Sequence, residues 1–348
     1  MTAEQLAYFK RLLAAPGVSG YEGRAQAVWQ DRVDGVAEVR HEDAQGSAVA
    51  VVNESAEKRV MLVGHIDEIG LIVKHVADNG FVHVASVGGM RRHLLQSQHV
   101  QIVGRGGIVT GVVGTFSDAK AEPAIDEVFL DIGAKDKDDA LRRIALGDPI
   151  VVGSDWVDLD NGLSACRNFD NRVGCYIVSE VIREVAGDAS LPVGVLGVSA
   201  TQEETGGVGA GQVAHRWEPS LGIAFDVTWA SDYPSTSATK MGDVALGKGP
   251  VLIRGVRTDE RAFTQLRDVA EKHDIPWQLE TETGRTSTDA DSISTQRGGI
   301  PVTVISIATR ISIATRYMHS STEVISLDDA DATIQLVVAF LREYDRLS

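Results

Sequence analysis

A chain of 348 residues and 37.2 kDa has room for one large domain or two ordinary ones, and 43% apolar with 24% charged residues excludes a disordered chain. Lys and Arg number 33 against 49 Asp and Glu, a formal net charge of −16, which excludes a protein that grips nucleic acid or an anionic membrane through a basic footprint. The two cysteines, Cys166 and Cys175, form no CxxC pair, no apolar run approaches the ~18 residues of a membrane span, and the first residues lack a signal-peptide pattern, so a reduced, cytoplasmic setting is expected.

In chain order, residues 3–15 place Leu6, Phe9, Leu12 and Leu13 on one helical face, and Pro16-Gly17 ends that helix. Ser19 and Glu22 have capping-box spacing and predict a second helix to about Val33. The runs AVAVV (48–52) and VMLVG (60–64) read as strands. From 69 to 162, LIVKHV, FVHVASV, HVQIVG, IVTGVVG, VFLDIG and PIVVGS follow one another between glycines and polar turns, with one helix signal near 136–146. This is the texture of a small, mostly β insert. From about 168, helices and strands alternate: a helix at 171–186, strands at 193–200 and 221–228, a helix near 260–273, a strand near 302–310 and a terminal helix from about 328. The fold class is α/β, with residues 1–68 plus 163–348 as one discontinuous domain interrupted by the insert 69–162.

Residues 305–310 read ISIATR and residues 311–316 repeat them. Architectural repeats run ~20–50 residues, so this is a local duplication. Its even length preserves inward–outward alternation if a strand simply lengthens. It would still displace the segment after it, which begins just ahead of His319, by up to roughly 20 Å of extended chain.

Ligands of open α/β sheets bind beyond the carboxyl ends of the strands. VMLVGHID puts His65 and Asp67 at one such end, VGVLGVSATQEE puts Glu203 and Glu204 at another, LGIAFD puts Asp226 at a third, and the 302–316 strand leads to His319. Asp170, in NFDNR, stands at a helix start. Singly, each has an ordinary reading: a structural histidine, a solvated pair of glutamates, an N-cap aspartate. Together, two imidazoles and several carboxylates suit two divalent transition ions sharing one carboxylate. His65 and Asp67 point to the same side of an extended chain, so Asp67 is placed to fix the ring's tautomer. Adjacent Glu203 and Glu204 diverge in an extended stretch, one as a ligand and one as a base. Neighbouring residues cannot readily flank a glycosidic bond, which weighs against a glycosidase. Gly206, Gly207 and Gly209 are followed by no Lys-Ser/Thr, so they are not a phosphate loop.

The set VGHIDEIGLIV, NFDNRVG, TQEETGGVGA, AFDV and RYMHSSTEV resembles, in order and over nearly the whole chain, the co-catalytic di-metal aminopeptidases of the tetrahedral and glutamyl aminopeptidase type, some of which are labelled endoglucanases. The resemblance implies a mixed sheet flanked by helices and a metal-dependent aminopeptidase that removes the first residue of short peptides through a metal-bound water. It implies His65, Asp170 and Asp226 around one ion and Asp170, Glu204 and His319 around the other, with Glu203 as general base and Asp67 orienting the histidine. Zinc or cobalt is the implied metal. The insert would be a dimerisation domain, and the assembly a homo-oligomer, up to a tetrahedral dodecamer. Three departures stand out: Ser47 in DAQGS replaces the usual Asn, TFSDAK (115–120) lacks an expected histidine, and the hexapeptide adjoins His319. The alternatives are another di-metal hydrolase (a deacylase or carboxypeptidase) or a homologue impaired by the duplication.

Overall fold

The computed structural model describes residues 1–41, 43–115, 123–153, 155–234, 236–257, 259–298, 311–316 and 319–344. Helix α1 (Ala3–Ala14) opens with a reciprocal cap: the Thr2 hydroxyl accepts the Gln5 N–H, and the Gln5 side chain accepts the Thr2 N–H. Its buried face is Tyr8, Phe9, Leu12 and Leu13, with Leu6 half-buried, and Phe9 stacks on Tyr176 at 4.6 Å. Helix α2 (Gly23–Val33) forms, but the Ser19–Glu22 capping box does not. The Ser19 N–H donates instead to the Glu68 carbonyl, its hydroxyl pairs with Thr205, and Glu22 accepts the N–H groups of Gly20 and Gln202. A long-range bridge between Val18 and Glu68 draws these groups away from the local cap.

Strands β1 (Glu38–His41), β2 (Ala48–Val52) and β3 (Arg59–His65) begin a large mixed sheet. The next six strands close into a separate barrel: β4 (Gly70–Val76), β5 (Val82–Val87), β6 (His99–Gly104), β7 (Gly107–Val113), β8 (Phe129–Asp131) and β9 (Pro149–Val152), ordered β4-β5-β8-β7-β6-β9. Leu71, Val73, Val82, Val84, Val100, Ile102, Leu130 and Ile150 fill it. The helix signal near 136–146 contracts to α3 (Lys137–Leu141), capped by Asp136.

The chain then returns to the large sheet through β10 (Val157–Asp158), β11 (Leu163–Cys166), helix α4 (Phe169–Val185), β12 (Gly194–Ala200), α5 (Val208–Trp217) and β13 (Leu221–Trp229). It continues with α6 (Ala238–Met241), β14 (Val251–Gly255), α7 (Glu260–Lys272), β15 (Gln278–Glu282), α8 (Asp289–Ser294), β16 (Ile311–Arg316), β17 (Glu323–Ser326) and α9 (Leu327–Glu343). The strand order is β1-β2-β12-β3-β13-β16-β17-β11-β10, with β14 beside β15 and β16. The central strands β12, β3, β13 and β16 are parallel. Both faces of β3, β12 and β13 are covered, which is why these strands read as continuous apolar runs. Leu62, Val195 and Ile223 face α1, α2, α4, α7 and α9, whereas Met61, Leu196 and Ala224 face α5 and α8.

The second ISIATR copy is β16. The first copy, the strand expected near 302–310, residues 116–120 of TFSDAK, and Tyr317-Met318 lie outside the described residues. Among the described residues, no helix is long and apolar enough to cross a membrane.

Candidate metal centre

The carboxyl ends of the parallel strands converge as the sequence pattern requires. His65 is the last residue of β3, Asp226 lies in β13, and Glu203 and Glu204 follow β12. Asp170 lies in the first turn of α4 but is not its cap. Asn168 takes that position, Asp170 and Asn171 have non-helical backbone angles, and the peptide between them is cis. The Asn171 side chain pins this turn to the sheet, donating to the Phe225 carbonyl at 2.7 Å and accepting the Gly174 N–H at 3.1 Å.

The Asp170 carboxylate stands between two imidazoles. One oxygen is 3.2 Å from His65 Nε2 and the other 3.3 Å from His319 Nε2. Ligand atoms of His65, Asp170 and Asp226 lie within 4.8 Å of one another, and so do those of Asp170, Glu204 and His319. Glu203 Oε2 is 3.7 Å from His65 Nε2. The two glutamates are not extended: they sit in a turn closed by the Gly206 N–H on the Glu203 carbonyl. Asp67 organises that turn, accepting the Glu203 N–H at 3.0 Å and the Glu204 N–H at 3.1 Å. His65 Nδ1 lies 3.2 Å from the Asp67 carbonyl oxygen and 3.4 Å from its carboxylate. Ser47, at the position of the usual Asn, hydrogen-bonds the Thr201 hydroxyl at 3.0 Å and accepts the Thr201 N–H, supporting the strand end before the glutamates.

The electrostatics are those of too many acids in one dry place. Burial opposes ionisation of Asp170, yet the His319 and His65 rings outweigh it and hold its carboxyl below the ordinary range. Burial likewise opposes a charged His65, but Asp170 and Asp67 raise its pKa well above the usual value. Burial pushes Glu203 and Glu204 well above the ordinary carboxyl range, and neighbouring carboxylates add to it. Asp289 is pushed up to about 8 by burial, and neither of its oxygens has a hydrogen-bond partner among the described residues. Crowded carboxylates, two imidazoles and an orphaned buried acid form a nitrogen–oxygen donor set that divalent transition ions fit. The cluster opens on a cavity of about 1300 Å³ whose wall also carries Arg257 and Arg285, both paired with Asp291 at 3.2 and 3.5 Å.

The sequence pattern does not single out Glu68, Asp289 or Glu323, all buried beside these groups. Glu68 holds Arg167 and the fully buried Arg172, and Arg172 also caps the Leu12 and Ala15 carbonyls. In the sequence Glu323 shows as an acid four residues after His319, within RYMHSSTEV, at the head of the apolar strand β17. Cys175, read as core, is fully buried.

Comparison with known proteins identifies the family and the fold. The profile of the M42 glutamyl aminopeptidase family matches residues 46–336. A lysyl aminopeptidase of Pyrococcus furiosus is 30% identical over 344 residues, covering 96% of both chains. The crystal structure of a TET aminopeptidase from the marine sediment archaeon Thaumarchaeota archaeon SCGC AB-539-E09 superimposes with a TM-score of 0.89 at 28% identity, covering 98% of this chain and 97% of that one. A Pyrococcus horikoshii TET1 peptidase, described as assembling into a tetrahedron or a large octahedral shell, gives 0.84 at 27% identity, covering 97% and 99%. The chain therefore belongs to the M42 glutamyl aminopeptidase family and is a peptidase.

Proposed function

We propose that this protein is a di-metal aminopeptidase that releases the N-terminal residue of short peptides. In this reading His65, Asp170 and Asp226 hold one ion and Asp170, Glu204 and His319 the other. The observation that carries it is the Asp170 carboxylate, which offers one oxygen to each imidazole. Two ions of the zinc or cobalt type, when bound, would supply Lewis-acid polarisation of the scissile carbonyl and acidify the attacking water. Glu203, on the cavity wall, takes the water's proton and returns it to the leaving amine. Asp67 keeps the His65 ring and the glutamate turn in place for that transfer. The remaining carboxylates favour the free α-amine of the substrate.

The same reading assigns residues 1–68 plus 163–348 to catalysis and the barrel-bearing segment 69–162 to dimerisation. It extends to a cytoplasmic homo-oligomer, up to a tetrahedral dodecamer. The assembly described for the Pyrococcus horikoshii relative supports this, as do the exposed Ile108 and Val112 on barrel strand β7. No nucleic-acid or membrane partner is part of it, in keeping with the net charge of −16.

The test is a panel of aminoacyl chromogenic substrates, assayed as isolated, after chelation, and after zinc or cobalt is restored. Activity that needs metal and a free α-amine is expected. Turnover that survives chelation, or is confined to N-blocked substrates, would overturn the proposal, the latter in favour of a deacylase or carboxypeptidase.

A further inference from the structure

The Glu323 side chain is 2% exposed and opens β17, whose first register pair is Glu323 with Cys166 of β11. It therefore lies between the two loops that deliver Asp170 and His319. Its Oε2 accepts the Asp170 N–H at 2.9 Å, and its Oε1 accepts the His319 N–H at 3.1 Å. The two amides belong to loops about 150 positions apart in the chain. His319 has a φ of +60°, a left-handed conformation that a non-glycine residue keeps only where its surroundings hold it.

The two inward-pointing amides meet different oxygens of one group, so that group must present an acceptor at both positions. A carboxylate does. A carboxamide provides one acceptor and one donor, and a hydroxyl provides a single oxygen. This accounts for a buried acid beside Asp170, where like charge would otherwise count against it. Asp67 repeats the device, one carboxylate accepting the N–H groups of Glu203 and Glu204. Four of the residues assigned to metal or base roles thus have their main chains held by two buried carboxylates.

We infer that Glu323 is a positioning residue for the second metal site, fixing Asp170 and His319 relative to each other through their backbone amides. This rests on the ligand assignment proposed above. Its effect reaches the site through main-chain placement, so it weakens one ion more than the other.

The experiment titrates metal-free protein with cobalt(II), following stoichiometry by calorimetry and the visible absorption of bound cobalt, with thermal unfolding of the same samples. Wild type is expected to take up two equivalents. Glu323→Ala should retain the first and bind the second about 10–100-fold more weakly, the range for residues that orient ligands. Glu323→Gln, with one acceptor left, should fall between them. Wild type taking up fewer than two equivalents would bring down the ligand assignment itself. Two equivalents bound equally tightly by wild type and Glu323→Ala would overturn the positioning role alone. Equal weakening of both equivalents with a lowered unfolding temperature would also overturn it, because that is the signature of general destabilisation. Should Glu323→Ala not fold, Glu323→Gln preserves shape and volume and decides by the same two affinities.

Discussion

Gly64 offers the sharpest test of how the site is held. It precedes His65 in β3 and faces α4 so closely that an added methyl carbon would lie 2.5 Å from the Gly174 carbonyl carbon and 2.6 Å from the Cys175 nitrogen. Both are main-chain atoms of a helix buried along most of its length, so no side-chain rotation relieves the contact. Ordinary carbon contacts of about 3.5–4.0 Å require β3 and α4 to part by roughly 1 Å. Overpacking of this kind costs about 1–3 kcal/mol, and the upper end applies where backbone meets backbone. The parting also falls between His65 and Asp170, which are 3.2 Å apart across the same seam. A site tolerates displacements of about 0.5 Å, and a misplacement near 1 Å costs up to ~10²-fold in rate. Gly64→Ala should therefore lower the urea midpoint and reduce kcat/KM by about 10–100-fold. Urea denaturation and steady-state kinetics on one preparation measure both. An alanine variant with an unchanged midpoint and unchanged kcat/KM would refute the close-approach argument.

The same geometry carries other expectations. Glu203→Gln should keep both metals, by elemental analysis, and lower kcat by at least ~10²-fold, the range for positioned acid–base catalysis; normal turnover would remove Glu203 from that role. Deleting one hexapeptide gives the same chain whichever copy is cut, and it leaves the spacing from Arg316, the end of β16, to His319 unchanged. Metal content and activity of that deletion should match the parent, and loss of the second metal would show that both copies are needed. Burial pushes the Cys166 thiol up to about 11 and Cys175 up to about 12. A thiol reagent near pH 8 should modify neither in the folded protein and both in denaturant; rapid labelling of native protein would contradict their burial.

The legible parts of the sequence are those whose interactions leave a periodic trace. The barrel strands and β3, β12 and β13 are apolar runs because both their faces, or their inner face, are covered. Strand β15 reads QLETE and alternates between half-buried and exposed, so it has no apolar signature. Helix α5 is hidden by its glycines, which make GGVGAGQ read as a loop. Within the site, His65, Glu203, Glu204 and Asp226 are legible because a parallel sheet gathers the residues at the carboxyl ends of its strands. Glu323 and Glu68 are not, because they act on main-chain amides and on distant arginines; the His319 amide is four residues from Glu323, but the Asp170 amide and both arginines are about 100 or more residues from the acid they meet. The failed Ser19–Glu22 cap teaches the same lesson in reverse: a correct local pattern yielded to a tertiary partner, Glu68.

Glu68 has a wider consequence. The chain leaves the large sheet at the end of β3, just before this residue, and comes back through β10 and β11, just before Arg167; Glu68 and Arg167 are joined by a buried ion pair. The whole barrel lies in the stretch between them, a long excursion whose two feet are tied together. Closing such a loop depends only weakly on how long it is. The barrel can be lengthened, shortened or reshaped while the knot at its base keeps its place beside His65 and Asp170. In this architecture the barrel and the strand ends that carry His65 and Asp170 can change separately, and the Glu68–Arg167 knot is where they are uncoupled.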